Sequence, residues 1–452
     1  MLGVVLTLAL MALQAGLMTL WPFRPQLPWF LGGLAVFYLL AAAAWLLLRR
    51  GRLTLPWLLV TALLLRALWI PASPGLSEDV YRYLWDGALT AHGENPYLRA
   101  PQERLDFQSR YPDLYQRMAH TDRTSIYPPV AQFLFLLNHL LWGPSVIGWK
   151  CLLLLFEAMM AALWWKAGFR RAQDWALWLL NPLVLLEFYS SGHLDLVTAA
   201  MWVGAILWLP AAAPDRGGWR AALSPLLLGM ASLTKLMPLM TAPFFWLRMK
   251  GWRASIRSLL WLAGGFALPA GLYFAWQGDL AESWGAFLEV SRTYHQKWRF
   301  NSPFFLIYEA RRPEVLAMAG RIFALAWAVL LAYAFFLARR GDGSRAGTVQ
   351  TASALYFLLM FFYACSYTVH PWYTTWAIAL YPLIGLRYWA GLWLGAASFL
   401  SYSGYWFAYP QVEERAWVLW LEYFPFYTLL VFDLWKWVKS RPRPSTVPSA
   451  SR

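Results

Sequence analysis

Charge is what this 452-residue sequence has least of: only 13% of its residues are Asp, Glu, Lys or Arg, well below the roughly 25% of soluble domains. That shortage excludes an ordinary soluble protein. Cysteine is also scarce. Cys151 and Cys365 are the two present, both in apolar segments without CxxC spacing, and they read as packing residues rather than redox or zinc ligands. No Gly-rich phosphate loop, HExxH helix or Ser-His-Asp elbow occurs. No polar segment is long enough to form a globular nucleotide-sugar domain. The net charge of +15 does not signal nucleic acid, because the Lys and Arg residues fall in short clusters between apolar blocks. The one longer basic run, 438–452, reads as a disordered cytosolic tail.

What the chain does have is apolar length. It is 60% hydrophobic, with a mean hydropathy of +0.43. The apolar blocks run to about 18–25 residues, enough to cross a bilayer. The 31 Trp and 23 Tyr residues suit interfacial belts and aromatic-lined cavities. The first block, Leu2 to Leu20, lacks a basic flank and a clear cleavage site and is expected to stay as a span. Basic breaks at 49–52, 166–171, 215–220, 248–253 and 338–345 are expected to face the cytosol, with 385–389 a weaker member. Between them fall twelve expected spans: 3–20, 29–48, 53–71, 145–167, 173–190, 195–212, 256–276, 315–338, 349–368, 372–386, 391–408 and 416–437. The stretch 221–247 begins and ends at cytosolic breaks. It is too long for one crossing and short for two, and Pro225 and Pro238 interrupt it. A broken or re-entrant helix pair is expected there, with Lys235 near its middle. The fold class is therefore an all-α polytopic membrane protein, a single transmembrane domain over 1–437. The outer face carries 72–144, 191–195, 277–314, 369–373 and 409–415, and 127–143 is expected as an interfacial helix.

The polar residues gather on that outer face. In "SEDVYRYLWDGALTAHGENPY" (77–97), Asp79, Arg82 and Asp86 fall within about 60° of one another on a helix. That reads as a short amphipathic helix at the outer membrane surface with a two-acid, one-base face, and the ordinary alternative is a solvated face with an Arg–Asp pair. Other outer segments add His193 and Asp195 in "SGHLD", Arg299 and Asn301 in "WRFNS", and His370 in "VHPWY". Lys235 is the worst placed for lipid, and an intramembrane ionisable group is a functional hypothesis by default. Arg82, Lys235 and Arg299, with His193 and His370 as donors, suit an anion, and phosphate matches Arg and Lys chemistry. With no nucleotide-binding domain present, a lipid head group is the fitting anion. Tyr83, Trp85, Trp298 and Trp372 are candidates to stack on a sugar, though packing or belt anchoring is their more ordinary role. Asn95-Pro96-Tyr97 reads as a turn.

With "SEDVYRYLWDG…GENPY", "YPPVAQ", "GHLD", "TKLMP", "WRFNS" and "HPWYTTW", spread over 77–376, the chain resembles the GT-C superfamily of membrane glycosyltransferases. The likeness is to the bacterial and archaeal mannosyltransferase-like branch that uses polyprenyl-phosphate sugars. The first motif carries most of the specificity. The resemblance implies two juxtamembrane helices in the first large outer loop, agreeing with 79–92 and 128–142. It also implies a catalytic base at the acidic residue following a span, which falls on Asp79. The span leading into that loop often opens the common core, so residues 1–48 are expected to be a two-span N-terminal addition.

The implied reaction is inverting transfer of a hexose, with mannose expected, from a polyprenyl-phosphate lipid to a hydroxyl of a lipid or glycan acceptor. It would take place on the extracytoplasmic side of a prokaryotic inner membrane. Lys235, Arg82, Arg299 and His370 would hold the donor phosphate. Glu78, Asp86, His193, Asp195 and Asn301 would contact sugar or acceptor, with Glu78 a rival for the base. No cofactor and no metal is expected, because fixed cations suffice for a lipid monophosphate. The partners are the donor lipid, the acceptor and the surrounding membrane lipids, with no nucleic acid. Broken helices and midplane charge also mark transporters, so a lipid-linked sugar flippase is the alternative. A ligase moving a whole glycan from a lipid diphosphate would be expected to use more Arg in a large outer loop.

Overall fold

Apolar blocks become helices where local signals start and stop them. A computed structural model describes residues 1–209, 220–246, 252–278, 280–297, 299–303, 313–340, 345–404 and 415–439. Most of the expected basic breaks at 215–220 and 248–253 and of the acidic segment 409–415, half of the break at 338–345, Trp298 and the tail from 440 lie outside the described residues. The first helices are α1 (Leu2–Met18), α2 (Leu27–Arg49) and α3 (Leu55–Trp69). Thr54 caps α3 by accepting from the Trp57 N–H, and Ser145 does the same for the Gly148 N–H at the start of α8 (Val146–Lys166). Side-chain oxygens here satisfy donors that a helix start leaves open.

Helices α4 (Asp79–Ala91), α5 (Leu105–Arg110), α6 (Pro112–Arg117) and α7 (Pro129–Trp142) lie between α3 and α8. The two expected juxtamembrane helices are α4 and α7. Residues Val80 to Thr90 of α4 are all buried, so α4 is an internal element and presents no solvated polar face. Gly87 lets α7 come close: a Cβ there would sit 2.3 Å from the Phe135 carbonyl oxygen. The far half of α7 instead exposes Leu137, Leu140, Leu141 and Trp142, which suits the interface.

The expected span 173–190 is broken. It comprises α9 (Ala172–Leu179), the short α10 (Pro182–Val184) and a π-helical turn, Leu185–Ser190. Pro182 cannot donate, and the Asn181 side chain caps the new start by accepting from the Leu183 N–H. After the turn, α11 (Asp195–Trp208) runs back. The stretch around Lys235 is interrupted, but not at Pro225, which lies inside α12 (Arg220–Ser232): the helix stops at Ser232, a 3-10 turn with Pro238 at its start covers Met237–Thr241, and α13 (Ala242–Trp246) follows. Gly229 and Gly265 bring α12 against α14 (Trp252–Trp276) at backbone distance.

The segment 277–314, expected only as an outer-face connection, holds the helix α15 (Leu280–Lys297). Its mixed composition hides it from a search for apolar runs. The remaining helices are α16 (Pro313–Arg340), α17 (Arg345–Cys365), α18 (Pro371–Ile378), α19 (Tyr381–Ile384), α20 (Ala390–Ala397) and α21 (Ala416–Lys439). Five of the described helices, α2, α8, α14, α17 and α21, are long and apolar enough to cross a bilayer. Leu39, Leu63, Leu155, Leu260 and Val431 point outward from different helices, as a lipid-facing surface requires. The chain is an all-α polytopic membrane protein.

One buried ion pair joins the early helices. Arg66 on α3 forks onto Glu157 on α8 at 2.5 and 2.7 Å. Glu157 also accepts from Trp178 at 2.7 Å and Tyr189 at 2.6 Å. Every strong acceptor site of the carboxylate is filled, so the pair is structural. Glu157→Ala is expected to strand the Arg66 charge and cost about 3–5 kcal/mol. A lowered thermal midpoint of the detergent-solubilised protein would report it, whereas an unchanged midpoint would show that the pair contributes nothing.

Candidate active site

Three breaks in helical structure converge on one point. Asp79 opens α4, where its backbone N–H donates to Ser77 Oγ at 3.3 Å. Its side chain is about one-third exposed (32%). Tyr127 Oη donates to Asp79 Oδ2 at 3.5 Å. Asp195 opens α11 and is completely buried. Lys235 follows the break after α12, and its Nζ lies 2.9 Å from Asp195 Oδ2 and 5.0 Å from the centre of the Tyr373 ring.

That break is held in place. The Leu233 carbonyl accepts the Val130 and Ala131 N–H groups at the start of α7, at 3.0 and 3.2 Å, and the Thr198 and Thr234 hydroxyls pair at 2.8 Å. A cavity of about 330 Å³ opens between these elements, lined by Asp79, Tyr127, Lys235, Tyr294, Trp372 and Tyr373 among others. Met237, Met240 and Phe362 form its apolar side.

A stack of four rings backs the cavity. His193 lies on Trp372 at 3.8 Å, Trp372 on His370 at 4.3 Å and His370 on Phe300 at 4.6 Å, all within 20° of parallel. The stack joins the 191–195 turn, the start of α18 and the segment 299–303, which bridges to Thr368 through Phe300.

The sequence-selected residues therefore divide. Asp79, Lys235 and Trp372 line the cavity, and His193, Asp195 and His370 stand directly behind it. Glu78 precedes Asp79, half-buried, and acts on it electrostatically. Arg82 and Asp86 are not brought to the cavity wall. They pair with each other at 2.8 Å, and Arg82 also donates to the Arg123 carbonyl at 2.9 Å. Asp86 accepts from Ser125 and Gln132 at 2.5 and 3.1 Å. This hub ties the segment Arg123–Ser125 to α4 and engages the Arg82 guanidinium there, away from the cavity lining. Nor does Arg299 line the cavity. Asn301 takes a left-handed backbone (φ +51°), donates to the Val369 carbonyl at 3.3 Å and accepts from Tyr423 through its own carbonyl at 2.7 Å, an architectural role. Tyr83 stacks on Phe135 and Trp85 packs on Phe107, so both are core residues.

Sequence reasoning missed Tyr127, Tyr294, Tyr373 and Glu187. The tyrosines look like any belt tyrosine. Glu187 did carry a signal, as an acid deep inside the expected span 173–190, whose other acid, Asp174, lies at its edge.

Burial raises the Asp79 carboxyl to about 6, against the lowering effect of Lys235, with Asp195 and Glu78 adding to the rise. A carboxylate shifted toward neutrality is matched to proton abstraction near physiological pH. If Asp79 is the base, kcat/KM is expected to climb with pH through about 6, as the carboxyl loses its proton, and to level above it. A pH profile of the free enzyme reads this limb directly. A limb below pH 5 would remove Asp79 from that role.

The fold and site define a GT-C mannosyltransferase-like membrane enzyme: interrupted helices around a cavity, with a carboxylate at the start of the first helix of the loop between α3 and α8. The family model described as alpha-(1->6)-mannopyranosyltransferase, N-terminal domain, matches residues 14–251, more than half of the chain. The chain belongs to that alpha-(1->6)-mannopyranosyltransferase family and is a glycosyltransferase. The match takes in Asp79, Glu187, His193, Asp195 and Lys235 and ends before the ring stack is complete. Comparison with curated proteins and with solved structures finds no match.

Proposed function

We propose that the protein transfers a mannosyl residue from a polyprenyl-phosphate donor to a hydroxyl of a lipid or glycan acceptor, with inversion. The observation that carries this reading is the pairing of one carboxylate and one ammonium on the wall of a largely apolar cavity. The acceptor oxygen attacks the anomeric carbon from the side opposite the phosphate, and Asp79 takes the hydroxyl proton. The carbon–oxygen bond to phosphate breaks, and its electron pair stays on the phosphate. Lys235 stabilises that growing charge. His370 and the aromatic rings shape the sugar subsite. Met237, Met240 and Phe362 offer an apolar wall to the first isoprene units, and the cavity is at the small end for ligand pockets.

We place the site on the extracytoplasmic side of a prokaryotic inner membrane. Arg49, Lys166, Lys436 and Lys439 lie in the last turns of α2, α8 and α21, which is the positive-inside signature. The site residues open α4, α11 and α18, at helix ends that the alternating topology assigns to the other side.

No resident metal enters this reading, since a lipid monophosphate carries little charge and Lys235 meets it. Transfer that survives chelation fits; loss on chelation with restoration by a divalent ion would contradict it.

The test is sugar transfer by purified protein in liposomes, with synthetic polyprenyl-phosphate hexoses and a nucleotide-linked mannose side by side. Consumption of polyprenyl-phosphate mannose alone is the expected result. Turnover of only the nucleotide sugar overturns the donor assignment. No turnover, with the intact lipid crossing the liposome membrane, makes the protein a flippase.

A further inference from the structure

Glu187 and His193 do not line the cavity, yet both are completely buried behind Asp79. Glu187 sits in the π-helical turn Leu185–Ser190, and such turns often mark functional sites. The turn folds the chain so that the His193 N–H donates to the Glu187 carbonyl at 2.9 Å. The side chains then meet: His193 Nε2 is 3.4 Å from Glu187 Oε2, and His193 Nδ1 is 3.7 Å from Asp79 Oδ2.

The Trp372 ring lies flat on the imidazole at 3.8 Å and restrains its tilt. Tyr402 Oη donates to both Glu187 oxygens, at 3.1 and 3.3 Å, and holds the carboxyl in turn. Neither ring nitrogen of His193 makes a hydrogen bond among the described residues. A buried imidazole thus spans two carboxyl groups, and both contacts are slightly longer than hydrogen bonds. Catalytic contacts of this kind tighten when substrate closes the site.

We propose that Glu187 and His193 form a positioning pair for the base: one proton is shared between Nε2 and Glu187, which fixes the Nδ1–H on Asp79 Oδ2 and leaves Oδ1 for the acceptor hydroxyl. This rests on the reading of Asp79 as the base. The shared proton selects the tautomer, as a partner on the far nitrogen does for any functional histidine. With the other tautomer, a lone pair would face the Asp79 carboxylate and repel it. The pair as a whole is neutral, so it orients Asp79 without removing its basicity as a full positive charge would.

Other groups act on Asp79 as well: Glu78 on its own helix, Tyr127 from the segment before α7, Asp195 on α11, and Lys235 from the break after α12. Tyr373 on α18 faces it beyond Lys235. The His193 contribution is therefore separated from theirs by substitution at 193 and 187 alone.

The experiment compares His193→Leu, His193→Asn, Glu187→Leu and Glu187→Gln with wild type, each checked for a normal thermal midpoint. The readouts are kcat, donor KM and the pH profile of transfer. His193→Leu is expected to lose about 10–100-fold in kcat, as loss of an orienting partner does, with donor KM little changed and the acid limb moved to higher pH. Asn places an amide N–H where Nδ1–H was, so His193→Asn recovers part of the rate and of the limb. The Gln amide can donate to Nε2 and preserve the tautomer, so Glu187→Gln keeps more rate than Glu187→Leu. Equal effects of Asn and Leu at 193, or of Gln and Leu at 187, or an unmoved acid limb in His193→Leu, overturn the proposal.

A second readout needs no turnover: infrared titration of the Asp79 carboxyl, assigned by its loss in Asp79→Asn. A midpoint that rises in His193→Leu but not in His193→Asn establishes the contact even if every donor fails, in which case only the role of Asp79 as base is lost. An unchanged midpoint in an active enzyme overturns the contact itself.

Discussion

Asp79→Asn is expected to lower kcat on the order of 10²–10⁴-fold, the range a positioned general base supplies. Asn matches the carboxylate in shape and can still accept from Tyr127, so α4 keeps its start and the cavity its volume. What disappears is the ability to take a proton. Donor binding should survive, because Lys235 and the apolar wall are untouched. Single-turnover transfer alongside direct measurement of donor binding separates the two effects. An Asp79→Asn protein that transfers at more than a tenth of the wild-type rate would falsify the assignment of the base. Glu78, next along the chain, would then be the residue to change.

The second large effect is expected at Lys235, and it has two parts. Lys235→Met removes the ammonium proposed to meet the departing phosphate, worth on the order of 10²–10³ in rate. It also strands Asp195, which is completely buried and would lose its 2.9 Å partner. An unpaired buried charge costs about 3–5 kcal/mol, so the single variant is expected to fold poorly as well as react slowly. Lys235→Met combined with Asp195→Asn removes both charges together. The double variant should regain most of the thermal midpoint and none of the rate. Recovery of both would reduce Lys235 to a structural ion-pair partner. Recovery of neither would mean that the pair itself organises the break after α12.

Much of the site was legible locally. Asp79 was marked by its place at the end of a span in a loop of unusual polarity, and Lys235 by its position in a stretch too irregular for a plain crossing. His193, Asp195 and His370 were marked because each is polar where a span must enter water. Arg82 and Asp86 were marked by the same signal, yet they pair with each other and with Ser125 and Gln132. Helical spacing places Asp79, Arg82 and Asp86 on one side of α4, but it does not tell which neighbour each side chain will meet. Buried on nearly all sides, α4 meets α7 with one stretch and the cavity with its first residue.

By itself the sequence determined the class of protein, most of the helical segments and the family to which the chain belongs. These follow from composition, apolar run length, basic breaks and local motifs, all properties of contiguous residues. Only the tertiary structure decided which charged side chains share the cavity, that Glu187 stands behind His193, and that 280–297 is a helix contributing Tyr294 to the wall. Those outcomes depend on where Pro182, the π-helical turn and the break before Lys235 redirect the chain. A change of direction at such a break moves every later side chain through space, and no periodicity in the sequence records the angle.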